Sequence, residues 1–174
     1  MSKRILLAAF AAAFALAFAP AAFAHEVKIG PLTLTDLWTR ATPPNAPSGG
    51  GYLTITNSGD GADRLIAVST PEAGKSEIHE MKVNDGVMTM RPVEGGVEIP
   101  AGGSVALAPG GFHLMFMALK APFVAGEKLP VTLTFEKAGT IDTFLHVEPI
   151  GSKGPGKTAD HGTMDHGTTE APAQ

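Results

Sequence analysis

The chain of 174 residues contains no cysteine. Without cysteine it can form no disulfide and no thiolate metal site, and it cannot carry out thiol redox catalysis. A blue-copper electron-transfer centre is excluded as well, because that centre needs a cysteine ligand beside its histidines. Any soft metal ligand in this protein must therefore be methionine.

Positive charge is also scarce. The sequence has 13 Lys and Arg against 17 Asp and Glu, a net charge of −4, which argues against a nucleic-acid partner. Enzyme motifs are missing too: there is no nucleophile elbow, no pair of catalytic carboxylates and no phosphate-binding glycine-rich loop before a helix. The sequence predicts a protein that is not an enzyme.

The first 24 residues have the pattern of a secretory signal peptide. Lys3 and Arg4 precede an apolar run, and the small residues Ala22 and Ala24 end it. This run is shorter than the roughly 20 residues that a membrane-spanning helix needs. We therefore predict cleavage after Ala24 and a periplasmic location. The mature chain would keep 11 basic and 17 acidic residues, a net charge near −6.

Residues 25–150 contain short apolar runs separated by Gly, Pro, Asn and Asp. Several runs alternate apolar side chains with threonine, which is typical of strands buried on one face. About nine strands and no helix predict one all-β domain, a sandwich or barrel. Residues 42–51 are predicted to form a loop that covers an edge strand. Residues 151–174 have almost no large apolar side chain, which predicts a disordered tail.

Methionine and histidine cluster in one part of the predicted domain. Five of the six methionines after the initiator lie between Met81 and Met117, in the same stretch as His79 and His113. A thioether suits Cu(I), and imidazole suits either oxidation state of copper. This mixture of donors favours copper over calcium, magnesium or structural zinc.

The segment Asn84-Asp85-Gly86 lies between two alternating runs and predicts a β-hairpin. If Asp85 and Gly86 form the turn, Met81 faces Met90 and Val83 faces Met88. The period of two along a strand then places four donors on one face of the hairpin. By the same rule His113, Met115 and Met117 share a face of a later strand. The four hairpin donors are His79, Met81, Met88 and Met90.

The alternative interpretation is that the methionines only fill the core, because methionine packs irregular gaps well. For Met88 and Met117 we favour this interpretation. It is weaker for His79 and His113, because two buried imidazoles need hydrogen-bond partners that an apolar core does not offer. A metal would supply that partner. The predicted site therefore consists of His79, Met90, His113 and Met115.

These residues resemble the motif of the periplasmic copper chaperone family PCu(A)C: a histidine, ten residues, a methionine, about twenty-one residues, and His-x-Met. Ten residues separate His79 from Met90, and His113-Leu114-Met115 closes the motif. The second gap is twenty-two residues, which keeps Met88 as the alternative to Met90. Further segments resemble that family across nearly the whole predicted domain. They are Leu37-Trp38-Thr39-Arg40-Ala41-Thr42-Pro43-Pro44, Gly51-Tyr52-Leu53-Thr54-Ile55, Arg91-Pro92-Val93 and Pro109-Gly110-Gly111-Phe112-His113.

The resemblance implies a cupredoxin-like Greek-key fold with one Cu(I) held near the surface by two histidines and two methionines. It also implies delivery of copper to the binuclear copper centre of cytochrome c oxidase, often alongside a thioredoxin-like Sco protein. A copper storage or resistance protein would use the same ligands without delivering the ion. Sequence does not separate these two functions.

Two further groups of donors lie at the ends of the mature chain. In the tail, His161, Met164 and His166 lie beside two aspartates and form a candidate Cu(II) site. His25 would be the new N-terminus, where amine and imidazole together can chelate Cu(II), although an ordinary residue after a cleavage site is the equal alternative. We interpret His146, in the last predicted strand, as structural.

Overall fold

The computed structural model describes residues 25–84 and 86–156. The predicted signal peptide, residues 1–24, lies outside the described residues, as do the predicted tail donors His161, Met164 and His166. In the described ranges no helix is long and apolar enough to cross a membrane.

The all-β fold class is confirmed, and the described residues form eleven strands where about nine were predicted. The predicted run from Val27 to Leu34 is two strands, because the backbone turns at Gly30, whose φ is +54°. The strands are β1 Val27–Ile29, β2 Leu32–Arg40, β3 Ser48–Asn57, β4 Asp63–Ser69, β5 Ala73–Asn84, β6 Val87–Pro92, β7 Val97–Ile99, β8 Ser104–Leu107, β9 Phe112–Leu119, β10 Lys128–Phe135 and β11 Gly139–Glu148.

The strands form one mixed sheet in the order β6-β5-β9-β3-β2-β11-β10-β4-β7, with β1 paired to β2 and β8 paired to β3. All of these pairs are antiparallel except β2 with β11. The apolar side chains of these strands meet in a single core, whose largest fully buried members include Leu114 and Phe116 of β9. Because side chains alternate along a strand, the odd-numbered residues His113 and Met115 lie on the other face of β9.

A β-bulge in β2 decides which of its residues share the face of His113. The register shifts between Thr35 and Trp38, and Asp36 has a positive φ of 51°. Before the bulge the even-numbered Leu32 and Leu34 are in the core, and after it Leu37 is. An extra residue reverses the alternation of a strand. Trp38 and Arg40 therefore lie on the face opposite to the core.

The glycine run of residues 49–51 is part of β3, so the predicted covering loop is wrong for Ser48–Gly51. These residues pair with Leu114–Met117 of β9 inside the sheet. A Cβ atom on Gly49 would lie 2.7 Å from the Phe123 ring, and one on Gly51 would lie 2.7 Å from Leu145. The glycines are needed because neighbouring side chains fill this space, and such a strand looks like a loop in the sequence.

The described domain extends past the predicted boundary at Ile150. Ser152 is fully buried, and its carbonyl accepts a hydrogen bond of 2.7 Å from Nε of Arg40. Gly154 is buried as well. Residues 151–156 thus pack against the domain although they carry no large apolar side chain, because small residues and a backbone hydrogen bond hold them there. Residues 151–156 are therefore packed and not disordered as predicted, and the rest of the predicted tail, residues 157–174, lies outside the described residues.

Candidate metal centre

His79 of β5 and His113 of β9 lie directly opposite each other in the antiparallel ladder between these strands. Their ring centroids are 5.9 Å apart at an interplanar angle of 65°. Both residues are buried, with 8% and 4% of their surface exposed. The ladder therefore brings together two imidazoles that are 34 positions apart in the chain.

The tautomer of His113 follows from its hydrogen bond. Its Nδ1 lies 3.0 Å from the carbonyl oxygen of Gly111. A carbonyl only accepts, so Nδ1 carries the proton and Nε2 keeps a free lone pair. Burial lowers the pKa of His113, the bond to Gly111 raises it, and nearby His79 lowers it, with a net decrease. The imidazole is therefore neutral at neutral pH, as a metal ligand must be.

The tautomer of His79 is fixed by a carboxylate. Its Nε2 donates to Oε2 of Glu77 at 2.9 Å. The remaining nitrogen, Nδ1, is buried and has no hydrogen-bond partner among the residues that the structure describes. A buried polar atom without a partner costs about 1–3 kcal/mol. A metal ion bound to Nδ1 would remove this cost, so the residue fits a ligand role.

The hairpin register predicted from the sequence is confirmed: Met81 pairs with Met90, and Val83 pairs with Met88. On the neighbouring strands, Met115 faces Glu77 of β5 and Gly50 of β3. Three thioethers and one imidazole line a single cavity of about 250 Å³. Those four side chains are Met81, Met90, His113 and Met115.

The predicted site residues do not all lie in the wall of this cavity. His79 is buried beside His113, outside the residues that line it. Met117 is half-buried and pairs with Ser48 of β3. Its side chain is also outside the lining of the cavity. Met88 is 64% exposed, so the interpretation that it fills the core is wrong. Met88 lies near the hairpin tip, opposite Val83, which is itself 64% exposed.

Arg40 lines the cavity as well, although no sequence pattern assigned it a role there. Its guanidinium lies 5.6 Å from the ring centroids of both Trp38 and Tyr52, which stacks the cation on two aromatic faces. The hydrogen bond from Nε of Arg40 to the carbonyl oxygen of Ser152 also holds the guanidinium in place. Glu77 was overlooked too, but its spacing of two from His79 was a usable signal, because it predicts a shared strand face.

Hard donors are not grouped in the same way. Within residues 25–84 and 86–156, no three His, Asp or Glu side chains are placed to hold a metal ion. A larger cavity of about 320 Å³, between β2, β8 and residues 153–155, has no His or Met in its lining. Among the described residues, the donors that lie together are imidazole and thioether groups, and this mixture favours a soft ion.

The two remaining described histidines lie elsewhere on the sheet. His25 stacks on Phe144 at a centroid distance of 4.0 Å, and its ring is 5.8 Å from that of His146. Its Nε2 lies 3.1 Å from the hydroxyl of Thr143. Burial lowers the pKa of His25, and the nearby His146 and Lys128 lower it further. His25 and His146 are thus surrounded by an aromatic side chain and a cation, whereas His113 lies beside thioethers.

Fold and site together define a class: an all-β domain that carries buried imidazoles and thioethers on the outer face of its sheet. A family profile described as "Putative lipoprotein LpqE-like" matches residues 32–147. The chain belongs to this family, and the resemblance to PCu(A)C copper chaperones that the sequence predicted is confirmed. One relative is "Putative lipoprotein Lxx21020" of Leifsonia xyli subsp. xyli. It is 36% identical over 115 residues, which cover 66% of this chain and 68% of the relative.

Solved structures of PCuAC domains share the fold, which is cupredoxin-like as predicted. The apo PCuAC domain from PmoF1 is 30% identical, with a TM-score of 0.62 over 72% of this chain and 99% of that domain. The copper-bound domain from PmoF2 is 27% identical, with a TM-score of 0.62 over 72% of this chain and 98% of its own length. The solution structure of CuI-DR1885 from Deinococcus radiodurans is 27% identical, with a TM-score of 0.52 and coverage of 73% and 83%.

Proposed function

We propose that this protein is an extracytoplasmic copper chaperone that binds one Cu(I) through His79, Met90, His113 and Met115. The observation that carries the proposal is the pair of buried imidazoles at the edge of a thioether-lined cavity. Each ring has one nitrogen fixed by a protein acceptor, which leaves the other nitrogen free for a metal. Acceptors of this kind orient the histidine ligands of many metal sites.

The donor set favours Cu(I) over Cu(II). Imidazole and thioether are neutral, and thioethers are soft, which suits the singly charged ion. Four neutral ligands leave its charge of +1 uncompensated at the ligand shell, while the carboxylate of Glu77 lies one hydrogen bond away, behind His79. We infer that the ion is held firmly enough to be carried and loosely enough to be surrendered to a thiolate-rich acceptor.

The exposure of the ligands supports transfer to a partner. His113 is 4% exposed, whereas Met90 is 47% exposed and lies on β6, the strand at one end of the sheet. A ligand of an incoming protein can therefore reach the ion from the Met90 side while the histidines still hold it. This arrangement fits a carrier, which binds its cargo without converting it, better than an enzyme.

Relatives support both the cargo and the location. The PmoF2 domain is a copper-bound protein and DR1885 carries CuI, and each shares the fold of this chain. The family profile and the Leifsonia relative are both named as lipoproteins, which supports a location outside the cytoplasm. We propose that residues 1–24 direct export to the periplasm and are removed after Ala24.

We propose that the copper is delivered to the binuclear copper centre of cytochrome c oxidase and that a Sco-type thioredoxin-like protein takes part in this delivery. The motif resemblance to PCu(A)C chaperones supports this destination. We also propose a second, Cu(II)-binding site in the tail, formed by His161, Met164 and His166, on the basis of their donor chemistry.

Deletion of the gene tests delivery against storage. A deletion strain is grown in limiting and in excess copper while oxidase activity is measured. A delivery protein predicts low oxidase activity in limiting copper, restored by added copper or by the wild-type gene but not by a His113→Ala variant. Normal oxidase activity together with sensitivity to excess copper would instead identify a storage or resistance protein.

A further inference from the structure

Met81 lies on the donor face of the hairpin but is absent from the proposed ligand set. It is two residues from His79 on β5 and directly opposite Met90 on β6. Side chains of directly opposed residues in an antiparallel pair lie about 4.5–5.5 Å apart at Cβ. Met81 and Met90 also line the same cavity, together with His113 and Met115. Position and lining both place a third thioether at the proposed copper site.

The backbone holds Met81 in a fixed relation to His113. The amide of Met81 donates to the carbonyl oxygen of Gly111 at 3.0 Å, and the same oxygen accepts from Nδ1 of His113 at 3.0 Å. One atom therefore anchors both the strand that carries Met81 and the ring of His113. The side chain of Met81 thus starts from a position that is fixed relative to a proposed ligand.

The two opposed methionines differ in exposure. Met90 is 47% exposed and belongs to β6, at the end of the sheet order, whereas Met81 is half-buried on β5, between β6 and β9. A thioether has no charge and no proton to lose, so one can replace another at Cu(I) without proton transfer or redox change. The inner thioether can keep the ion coordinated when the outer one is displaced.

We propose that Met81 is a copper ligand that exchanges with Met90, an inference that rests on the proposed Cu(I) site. In the resting complex either thioether completes the coordination by His79, His113 and Met115. When an acceptor displaces Met90, Met81 binds the ion and prevents its loss to solvent. The paired methionines are therefore a device for transfer, in addition to a binding site.

A double-mutant cycle tests this exchange. Cu(I) affinities of the purified mature protein are measured by competition with a chromophoric Cu(I) chelator for wild type, Met81→Leu, Met90→Leu and the double variant. Leucine keeps the volume and removes the sulfur. If either thioether can serve, the double variant loses about tenfold more affinity than the product of the two single losses, as coupled neighbours do. Additive losses, or a Met81→Leu variant that binds like wild type alone and in combination, would overturn the proposal.

Sulfur counts from X-ray absorption of the Cu(I) complexes give a second measure. We expect Met90→Leu to keep two sulfur neighbours, because Met81 takes the vacated position, and the double variant to keep one. One sulfur neighbour in Met90→Leu would contradict the exchange. Met88→Leu, at an exposed position of the same hairpin face, is the matched control and should behave like wild type.

Failure of the exchange is distinguishable from failure of the site. If wild-type protein binds no Cu(I), the proposed function and the proposed exchange are both overturned. If wild type binds and His113→Ala does not, the site stands and the cycle decides the role of Met81 alone. Thermal unfolding of each apo variant tests its folding, and Met81→Gln, of similar length, replaces Met81→Leu if the leucine variant is unfolded.

Discussion

Glu77 fixes His79 by accepting the hydrogen of its Nε2 at 2.9 Å, two residues away on the same face of β5. The other carboxylate oxygen of Glu77 is 2.5 Å from Nζ of Lys75. Hydrogen bonds from Lys75 and His79 lower the pKa of Glu77, so that the group is ionised at neutral pH. The carboxylate therefore selects the tautomer that leaves Nδ1 of His79 without a proton.

Removal of this carboxylate should weaken copper binding although Glu77 lies outside the proposed ligand set. We expect Glu77→Ala to lower Cu(I) affinity by about 10- to 100-fold, the usual effect of losing a partner that orients a ligand. Glu77→Gln should lose less, because its amide oxygen still accepts the bond. Chelator competition measures both variants. Glu80→Ala is the matched control, since Glu80 also pairs with a lysine two residues away, Lys82. Equal losses at Glu77 and Glu80 would exclude an orienting role.

Most of the Cu(I) affinity should depend on His113 and Met115, the two proposed ligands on β9. We expect His113→Ala or Met115→Ala to remove most Cu(I) binding, because each deletes a proposed ligand of the core site. Met117→Ala, two residues further along the same strand, removes a thioether outside the cavity and should bind like wild type. Chelator competition is the measurement. Unchanged affinity in both ligand variants would contradict the assignment of the site.

The two exposed methionines of β6 should differ. We expect Met90→Leu to weaken Cu(I) binding by about tenfold, close to 1.4 kcal/mol, and Met88→Leu to leave it unchanged. Met90 lines the cavity, whereas Met88 faces Val83 toward the hairpin tip. Affinities from the same competition assay check this expectation. The opposite order would move the ligand to Met88.

Stability should depend on pH through Asp63. Burial alone would raise the pKa of this carboxyl group, but backbone hydrogen bonds from Lys137, Arg64 and Ala138, together with the charge of Lys137, lower it overall. A lowered pKa in the folded state adds stability above the unfolded value near about 3.9. That stability is lost as the pH falls through the folded pKa.

We expect Asp63→Asn to reduce the free energy of unfolding at pH 7 by about 1–3 kcal/mol, because its amide cannot accept all of the backbone donors. The variant should also be less sensitive to acid than wild type. Urea unfolding at several pH values between about 7 and about 3 measures both effects. A parallel pH profile in variant and wild type would show that other carboxylates control acid unfolding.

Truncations should separate the packed segment from the tail. We expect truncation after Gly156 to leave apo stability unchanged and to remove the proposed Cu(II) site of His161, Met164 and His166. Truncation after Ile150 should also lower the melting temperature, because Arg40 loses its acceptor at Ser152. Cu(II) titration at about pH 7.5 and about pH 5, either side of the imidazole pKa, measures tail binding. Equal Cu(II) stoichiometry at the higher pH in full-length and truncated protein would exclude a tail site.

The hairpin was predictable because its turn and its alternation are local: the sequence places Met81 opposite Met90, and the ladder agrees. The position of Arg40 at the cavity could not be predicted, since it depends on a bulge at Asp36 that reverses the alternation of side chains along β2. The strand character of Gly49 and Gly51 was hidden for another reason. Their lack of a side chain reflects Phe123 and Leu145, which are far away in the sequence. Local rules give register, whereas long-range packing decides which residues surround the site.

Under the proposed function, the pairing of His79 with His113 also makes copper binding depend on the completion of folding. The two residues approach each other only when β9 has paired with β5, a contact between distant parts of the chain. Such contacts are costly in entropy and form slowly. A chain in which these strands have not yet paired would therefore lack the proposed chelating pair and could not bind the ion at this site. If the proposed site binds Cu(I), the bound ion stabilises the native state by mass action, and we expect the copper-loaded protein to resist unfolding and proteolysis better than the apo protein.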